Sequence, residues 1–265
     1  MWKRVPFLLV SLGLSTALLN AQSIVSIPRL KNGIAPVSTA TPPGAPEAKS
    51  VTLQKYAKLP LSFERHGESE FVARGQGYAI DIRGASATIA LPVSGVSSTV
   101  GMEFVHGRQS TAIPQKELPG KVNYIFGNDP RRWRLGLPTY ERVTYGNLYP
   151  GIDVVYYGNQ KQLEFDLVLK PGADVRSIRM RFAGAGKLRT DPSGSLMLGD
   201  LQLMVPTVIQ GQKTIPARYK ILGNDEVAFE VGAYDRLQPL IIDPTLVYST
   251  RLGGGTAAIK ATPLL

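Results

Sequence analysis

Glu164 and Asp166 stand two residues apart in the alternating run Leu163 to Leu169, so a strand would put both carboxyl groups on one face. Their backbone positions would lie roughly 6.6 Å apart at the rise of a strand. The two carboxyl groups of an inverting glycosidase sit about 6.5–9.5 Å apart, so a glycan-active hydrolase is one reading of the pair. A structural reading competes and is preferred. Arg179 and Arg181 alternate in the same way on the next predicted strand, and an antiparallel pairing would oppose two carboxylates to two guanidiniums. Such a ladder contributes roughly 0.2–1 kcal/mol per pair.

Aromatic side chains offer the other chemistry. Tyr140, Tyr145, Tyr149, Tyr156 and Tyr157 fall within 18 residues, close to Trp133. Exposed rings of this kind stack on sugars, with an apolar face and a polar tip. Tyr156 and Tyr157 must point to opposite faces of a strand. The candidate ligand-binding set is therefore Trp133, Tyr140, Tyr145, Tyr149 and Tyr156, against the commoner fate of core packing.

Other familiar chemistries find no residues. The chain has no Cys and only two His, His66 and His106, each followed by Gly and each read as a loop histidine. That removes thiolate metal sites and cysteine nucleophiles. No Gly-x-Ser-x-Gly elbow or P-loop occurs, and Gly75-Gln76-Gly77-Tyr78 lacks the following helix of a dinucleotide site. Asp153, Asp243-Pro244 and Asn128-Asp129-Pro130 read as turn caps. No catalytic residue, metal or cofactor is expected.

Strands must position whatever site exists. Phe71–Arg74, Tyr78–Arg83, Thr88–Leu91, Met102–Val105, Val122–Phe126, Ile152–Tyr157, Leu163–Leu169, Ile178–Phe182, Ala217–Ile221, Val227–Val231 and Leu240–Ile242 carry alternating or β-branched patterns. Gly-, Asn- and Pro-rich turns separate them at intervals typical of an antiparallel sandwich. Asp174 could cap one short helical turn at Gly172–Ser177. The fold expected is all-β, an antiparallel β-sandwich-like meander, in two β lobes or one extended two-sheet structure. A seam at Pro114–Pro119 would separate a lobe of residues 51–117 from a larger lobe of residues 118–248.

The amino terminus reads as an export leader over residues 1–21: Lys3 and Arg4, then an apolar core from Phe7 to Leu19, then Ala21 before Gln22. Residues 22–50 hold five prolines among Ser, Thr, Ala and Gly, an extended linker. Loss of Lys3 and Arg4 with the leader lowers the formal charge from +10 to +8. A basic exported domain can meet anionic polysaccharide or lipid headgroups, although the charge also serves solubility alone. Nucleic acid is not expected as a partner, nor is a transmembrane span.

Taken in order, LPLSFE (59–64), FVARGQGYAIDI (71–82), LPGKVNYIFGNDPRRW (118–133), PTYERVTYGNLYPGIDVVYYGN (138–159), LEFDLVLKPGAD (163–174), IRMRF (178–182), YKILG (219–223), VAFEVGAYD (227–235) and PLIIDPTLVYSTRLGG (239–254) resemble a known pattern. It is that of the N-terminal domain of bacterial SBBP β-propeller-repeat proteins. The resemblance implies an uncharacterised, non-enzymatic β module of secreted or cell-surface proteins, extracellular or periplasmic. It also implies a downstream β-propeller domain or a cell-surface protein as partner. Residues 249–265 carry no blade pattern and read as a truncation, which would leave Leu240–Tyr248 as an exposed, aggregation-prone edge. N-terminal sequencing of the mature protein is expected to begin at Gln22; a start at Met1 would contradict the leader.

Overall fold

The computed structural model describes residues 59–248, except 76, 94–95, 161 and 224. The expected leader, the linker, residues 51–58 and the tail lie outside the described residues. The chain between is nearly all strand: a large antiparallel sheet, nearly closed into a barrel-like sandwich. In chain order the strands are β1 (Phe63–Arg65), β2 (Glu70–Gly75), β3 (Tyr78–Arg83), β4 (Ser86–Val93), β5 (Val96–Phe104), β6 (Ala112–Tyr124), β7 (Arg134–Tyr149), β8 (Ile152–Asn159) and β9 (Gln162–Leu169). Then follow β10 (Arg179–Ala183), β11 (Arg189–Thr190), β12 (Leu196–Leu198), β13 (Leu201–Leu203), β14 (Thr207–Gln210), β15 (Lys213–Ile215), β16 (Ala217–Ile221), β17 (Glu226–Val231), β18 (Leu240–Asp243) and β19 (Thr245–Tyr248).

The ladder runs β16–β17–β10–β5–β4–β3–β2–β1–β7–β8–β9. Beyond β9 it forks, through β18 to β14 and β15, and through β19 to β13, β12 and β11. β7 carries the turn from one layer to the other. On one edge it pairs with β1 at Thr139–Tyr140 and with β8 from Val143 onward; β6 lines its opposite edge. β1 and β8 therefore lie end to end, joined by the Leu61 N–H bonded to the Gly158 carbonyl at 3.0 Å.

Alternation sends one residue in two inward. β9 buries Leu163, Phe165, Leu167 and Leu169, and β3 buries Tyr78, Ile80 and Ile82. Phe104 of β5 meets Phe165 of β9 edge to face, centroids 6.0 Å apart, so the two layers touch through rings. Such a pair adds about 0.5–1.5 kcal/mol beyond its area.

Three of the turn acids read from sequence act as caps; Asp243 does not, one of its carboxylate oxygens having no hydrogen-bond partner. Asp174 caps the 3-10 turn Val175–Ser177, and Asp129 caps another at Pro130–Arg132. Asp153 receives the N–H of Asn147, a residue at φ 53° in a bulge of β7. Two expectations need correction. The seam at Pro114–Pro119 falls inside β6, and the strands on either side of it share one ladder. Leu240–Tyr248 is no open edge: β18 lies between β9 and β14, and β19 between β9 and β13. The chain closes its own C-terminal strands, so they offer no route to edge-to-edge association. A protein ending before Leu240 would leave one edge of each of β9, β13 and β14 unpaired. It is expected to show no cooperative thermal transition by circular dichroism, whereas one ending at residue 250 melts like the full chain.

Candidate functional site

The acid pair lies on the outer face of β9, opposite Tyr157 and Val155 of β8 on one side and Thr245 of β19 on the other. Arg179 and Arg181 are not across from it. β10 belongs to the other layer, where Arg181 pairs with Glu103 of β5 at 3.2 Å and with Glu226 of β17. The expected ladder is therefore overturned. The segment 170–178 carries the chain across the sandwich instead of turning it back as a hairpin, so sequence-adjacent strands do not become neighbours.

The outer-face groups engage one another. Tyr157 donates its hydroxyl to Asp166 at 2.8 Å, and Gln162 donates to Glu164 at 2.6 Å. The Arg142 guanidinium lies over the Tyr157 ring, 4.5 Å from its centroid. Asp243 of β18 faces the same way, one of its carboxylate oxygens buried without a hydrogen-bond partner. Burial, reinforced by the charges of Asp166 and Glu164, pushes the Asp243 carboxyl up to about 6. Burial also raises Asp166 against the pull of Tyr157 and Arg142. Among the described residues no three His, Cys, Asp or Glu side chains gather as metal ligands.

The aromatic set disperses. Tyr145, Tyr149 and Tyr156 are in the core, which corrects their reading as a sugar-stacking surface. Tyr145 donates to the carbonyls of Ser69 and Ile82, and Tyr149 to those of Val105 and Arg179. Both rings thus tie β7 to the backbone of the opposite layer. Tyr156 packs against Tyr145 and Phe165, its centroid 6.0 and 5.9 Å from theirs. Tyr140 is half-buried, 6.2 Å from Phe71. Trp133 alone lies away from them, half-exposed at the far end of the β6–β7 hairpin, its indole N–H on the Gly127 carbonyl at 3.2 Å.

That hairpin brings together groups the sequence reading passed over. Glu64 of β1 is only 6% exposed although its neighbour Phe63 fills the opposite, core face. The Glu64 carboxylate accepts from Arg74 of β2, from the Tyr124 hydroxyl of β6 and from His66 Nε2 at 3.3 Å. Arg134 of β7 donates to His66 Nδ1 at 3.1 Å and to the His66 carbonyl at 3.3 Å. A guanidinium only donates, so Nδ1 accepts and Nε2 carries the proton that reaches Glu64. Burial, with the bond to Glu64, pushes the Tyr124 hydroxyl up to about 12. His66, expected as a loop histidine, is thus part of a clamp that fastens the outer half of the hairpin across β1. Beyond the clamp Phe126 stacks on Tyr124, 6.0 Å between centroids. Ile125 and Leu135 there are 64% and 58% exposed. The readable signal was the Tyr-Ile-Phe run before Gly127, with too few polar positions for a solvated strand end.

A family model described as "Domain of unknown function (DUF7948)" matches residues 62–245, and the chain belongs to that family. The match spans nearly the stretch over which the resemblance was read. No curated protein and no solved structure matches the chain.

Asp243 supplies a pH test. A carboxyl raised in the folded state contributes stability below its unfolded value, and that contribution is lost as pH climbs through the folded value. The protein should therefore lose stability between about pH 4 and pH 6 relative to Asp243→Asn, which keeps the shape without the charge. Thermal melts across this range are expected to show the variant more stable at neutral pH, with the gap closing in acid.

Proposed function

We propose that this member of the DUF7948 family is a non-catalytic interaction module of exported proteins, docking a protein domain through the tip of its β6–β7 hairpin. One observation carries the reading: Ile125, Phe126 and Leu135 are exposed around the tip of a hairpin that a buried polar clamp anchors, with Phe126 stacked on the clamp's Tyr124. Apolar side chains grouped on a surface mark contact sites. Fixing them in advance lowers the ordering cost of binding. The clamp itself is costly to build around a buried carboxylate, and four side chains answer to it, three directly and Arg134 through His66. A hairpin needed only to complete the sheet requires no such anchor at its far end.

The leader read at residues 1–21 supports export to the extracellular space, the cell surface or the periplasm. The resemblance supports a downstream β-propeller as the partner. The engagement of Glu164 and Asp166 by Gln162 and Tyr157 supports a structural role for the acid pair.

Replacing Ile125, Phe126 and Leu135 with Ser tests the reading. Against a separately expressed propeller-repeat segment from a family member, the triple variant is expected to bind at least about tenfold more weakly, as loss of a contact centre does. Its thermal midpoint should match the parent. Equal affinity, or absence of binding by the parent, would overturn the proposal, and so would glycan hydrolysis abolished by Asp166→Asn.

A further inference from the structure

A second surface, away from the hairpin, has the form of a ligand site. On the outer face of the other layer, Arg179 of β10, Ala228 of β17 and Lys220 of β16 stand in one row across three paired strands. Two long cationic side chains flank a methyl group, so Ala228 forms the floor of a trough. The 3-10 turn at Val175–Ser177 and the loop 232–238 wall it into a cleft of about 720 Å³, within the range of sites that hold small organic ligands.

Charge in the trough is unevenly matched. Asp174 is answered by Arg176 at 2.9 Å, and Glu230 by Arg218 and Lys220. Arg176 and Lys220 hold the Asp174 and Glu230 carboxyls below the usual carboxylate range, Arg218 contributing most to the latter. Arg179 and Arg236, which also line the cleft, are exposed and make no ion pair within 4.0 Å among the described residues, the more distant charge of Arg236 contributing only in small part to the lowering of Asp174. Two guanidiniums therefore remain to receive an anion in forked geometry.

The loop that carries Arg236 and Tyr234 is fixed rather than loose. Gly232 N–H bonds the Pro216 carbonyl at 2.8 Å, and Gly172 N–H bonds the Arg236 carbonyl at 2.8 Å. Gln210 both donates to the Asp235 carbonyl and accepts from the Asp235 N–H, at 2.8 and 2.9 Å. Tyr234, half-buried against the core, lines the trough on one side. It also lines a second depression of about 640 Å³, where Gln212, Lys213 and Gln238 are exposed and the Gln210 amide is already committed to Asp235. The ring thus stands between a cationic hollow and an amide-lined one.

We propose that this trough binds a linear anionic polysaccharide, with acidic groups on Arg179 and Arg236, a sugar ring against Tyr234, and hydroxyls met by the amides beyond. Length accounts for two hollows on either side of one ring, and acidity accounts for the two unpaired guanidiniums. The aromatic at the centre separates a sugar polymer from a simple inorganic anion, which would need no platform. The inference is independent of the hairpin and survives its failure.

Titration calorimetry of the full chain tests it with three probes: polygalacturonate oligomers, heparin oligomers and neutral amylose oligomers. Binding of either polyanion and not of amylose is expected; the polygalacturonate and heparin arms distinguish carboxylate from sulfate as the anion. Arg179→Ser with Arg236→Ser should weaken binding about tenfold or more, the loss of charged hydrogen bonds. Ala228→Leu fills the floor without changing charge and should weaken it comparably, with an unchanged melting temperature. Lys187→Ser with Arg189→Ser removes the same charge from exposed positions outside the trough and should leave affinity intact. Equal losses from both double variants would reduce the effect to diffuse charge and overturn the proposal. Full affinity in Ala228→Leu, equal binding of amylose, or binding of neither polyanion would overturn it as well.

Discussion

Everything in this fold hangs on one strand serving two layers. β7 is 16 residues long, and a single edge of it holds β1 near one end and β8 toward the other. The hydrogen-bonded ladder therefore continues from one layer into the next without a gap. A bulge at Gly146–Leu148, with Asn147 at positive φ, lets the strand turn while keeping its ladder. Asp153 supports that bulge from β8.

With no cysteine in the chain, the layers are cross-tied by hydroxyls. Tyr145 and Tyr149 of β7 reach backbone carbonyls on the far layer, and each bond satisfies a buried phenol while it fixes a spacing. A neutral hydrogen bond of this kind contributes only about 0.5–1.5 kcal/mol net, but a buried phenol deprived of its acceptor is destabilising. The ties thus select one separation between layers more than they add stability. The Glu64 clamp obeys the same logic with a charge. A buried carboxylate is tolerated because Arg74, Tyr124 and His66 all donate to it, and a hairpin in another lie would take the Tyr124 donor away from it.

Strand composition was legible because each strand is half-buried: the alternation in Leu163–Leu169 and Val227–Val231 shows directly as alternate burial. β7 was not, since Gly136, Pro138 and Gly146 interrupt its period where it bends and bulges. Pairing was the larger loss. Glu164 and Asp166 looked complementary to Arg179 and Arg181, but period-2 patterns fix a face and say nothing of which strand lies alongside. The tyrosines failed as a surface for a related reason. Their crowding drew them together as a candidate set, yet a phenol is equally suited to water and to a buried carbonyl. The trough was invisible in sequence because Ala228 matters only by being small between Arg179 and Lys220, which come together from three strands.

The seating of the last two strands has a kinetic meaning. β9 is held on one edge by β18 and β19, so Leu163 finds its partner in Leu246, and neither layer is bounded until that pairing forms. Pairings this distant in sequence make folding slow and late. A growing chain that lacks residues 240–248 pairs β9 with β8 alone and leaves its other edge open, so the sandwich closes last. Under the proposed export, that delay is an advantage: the chain remains threadable until its final strands have crossed, and the fold then locks from its end.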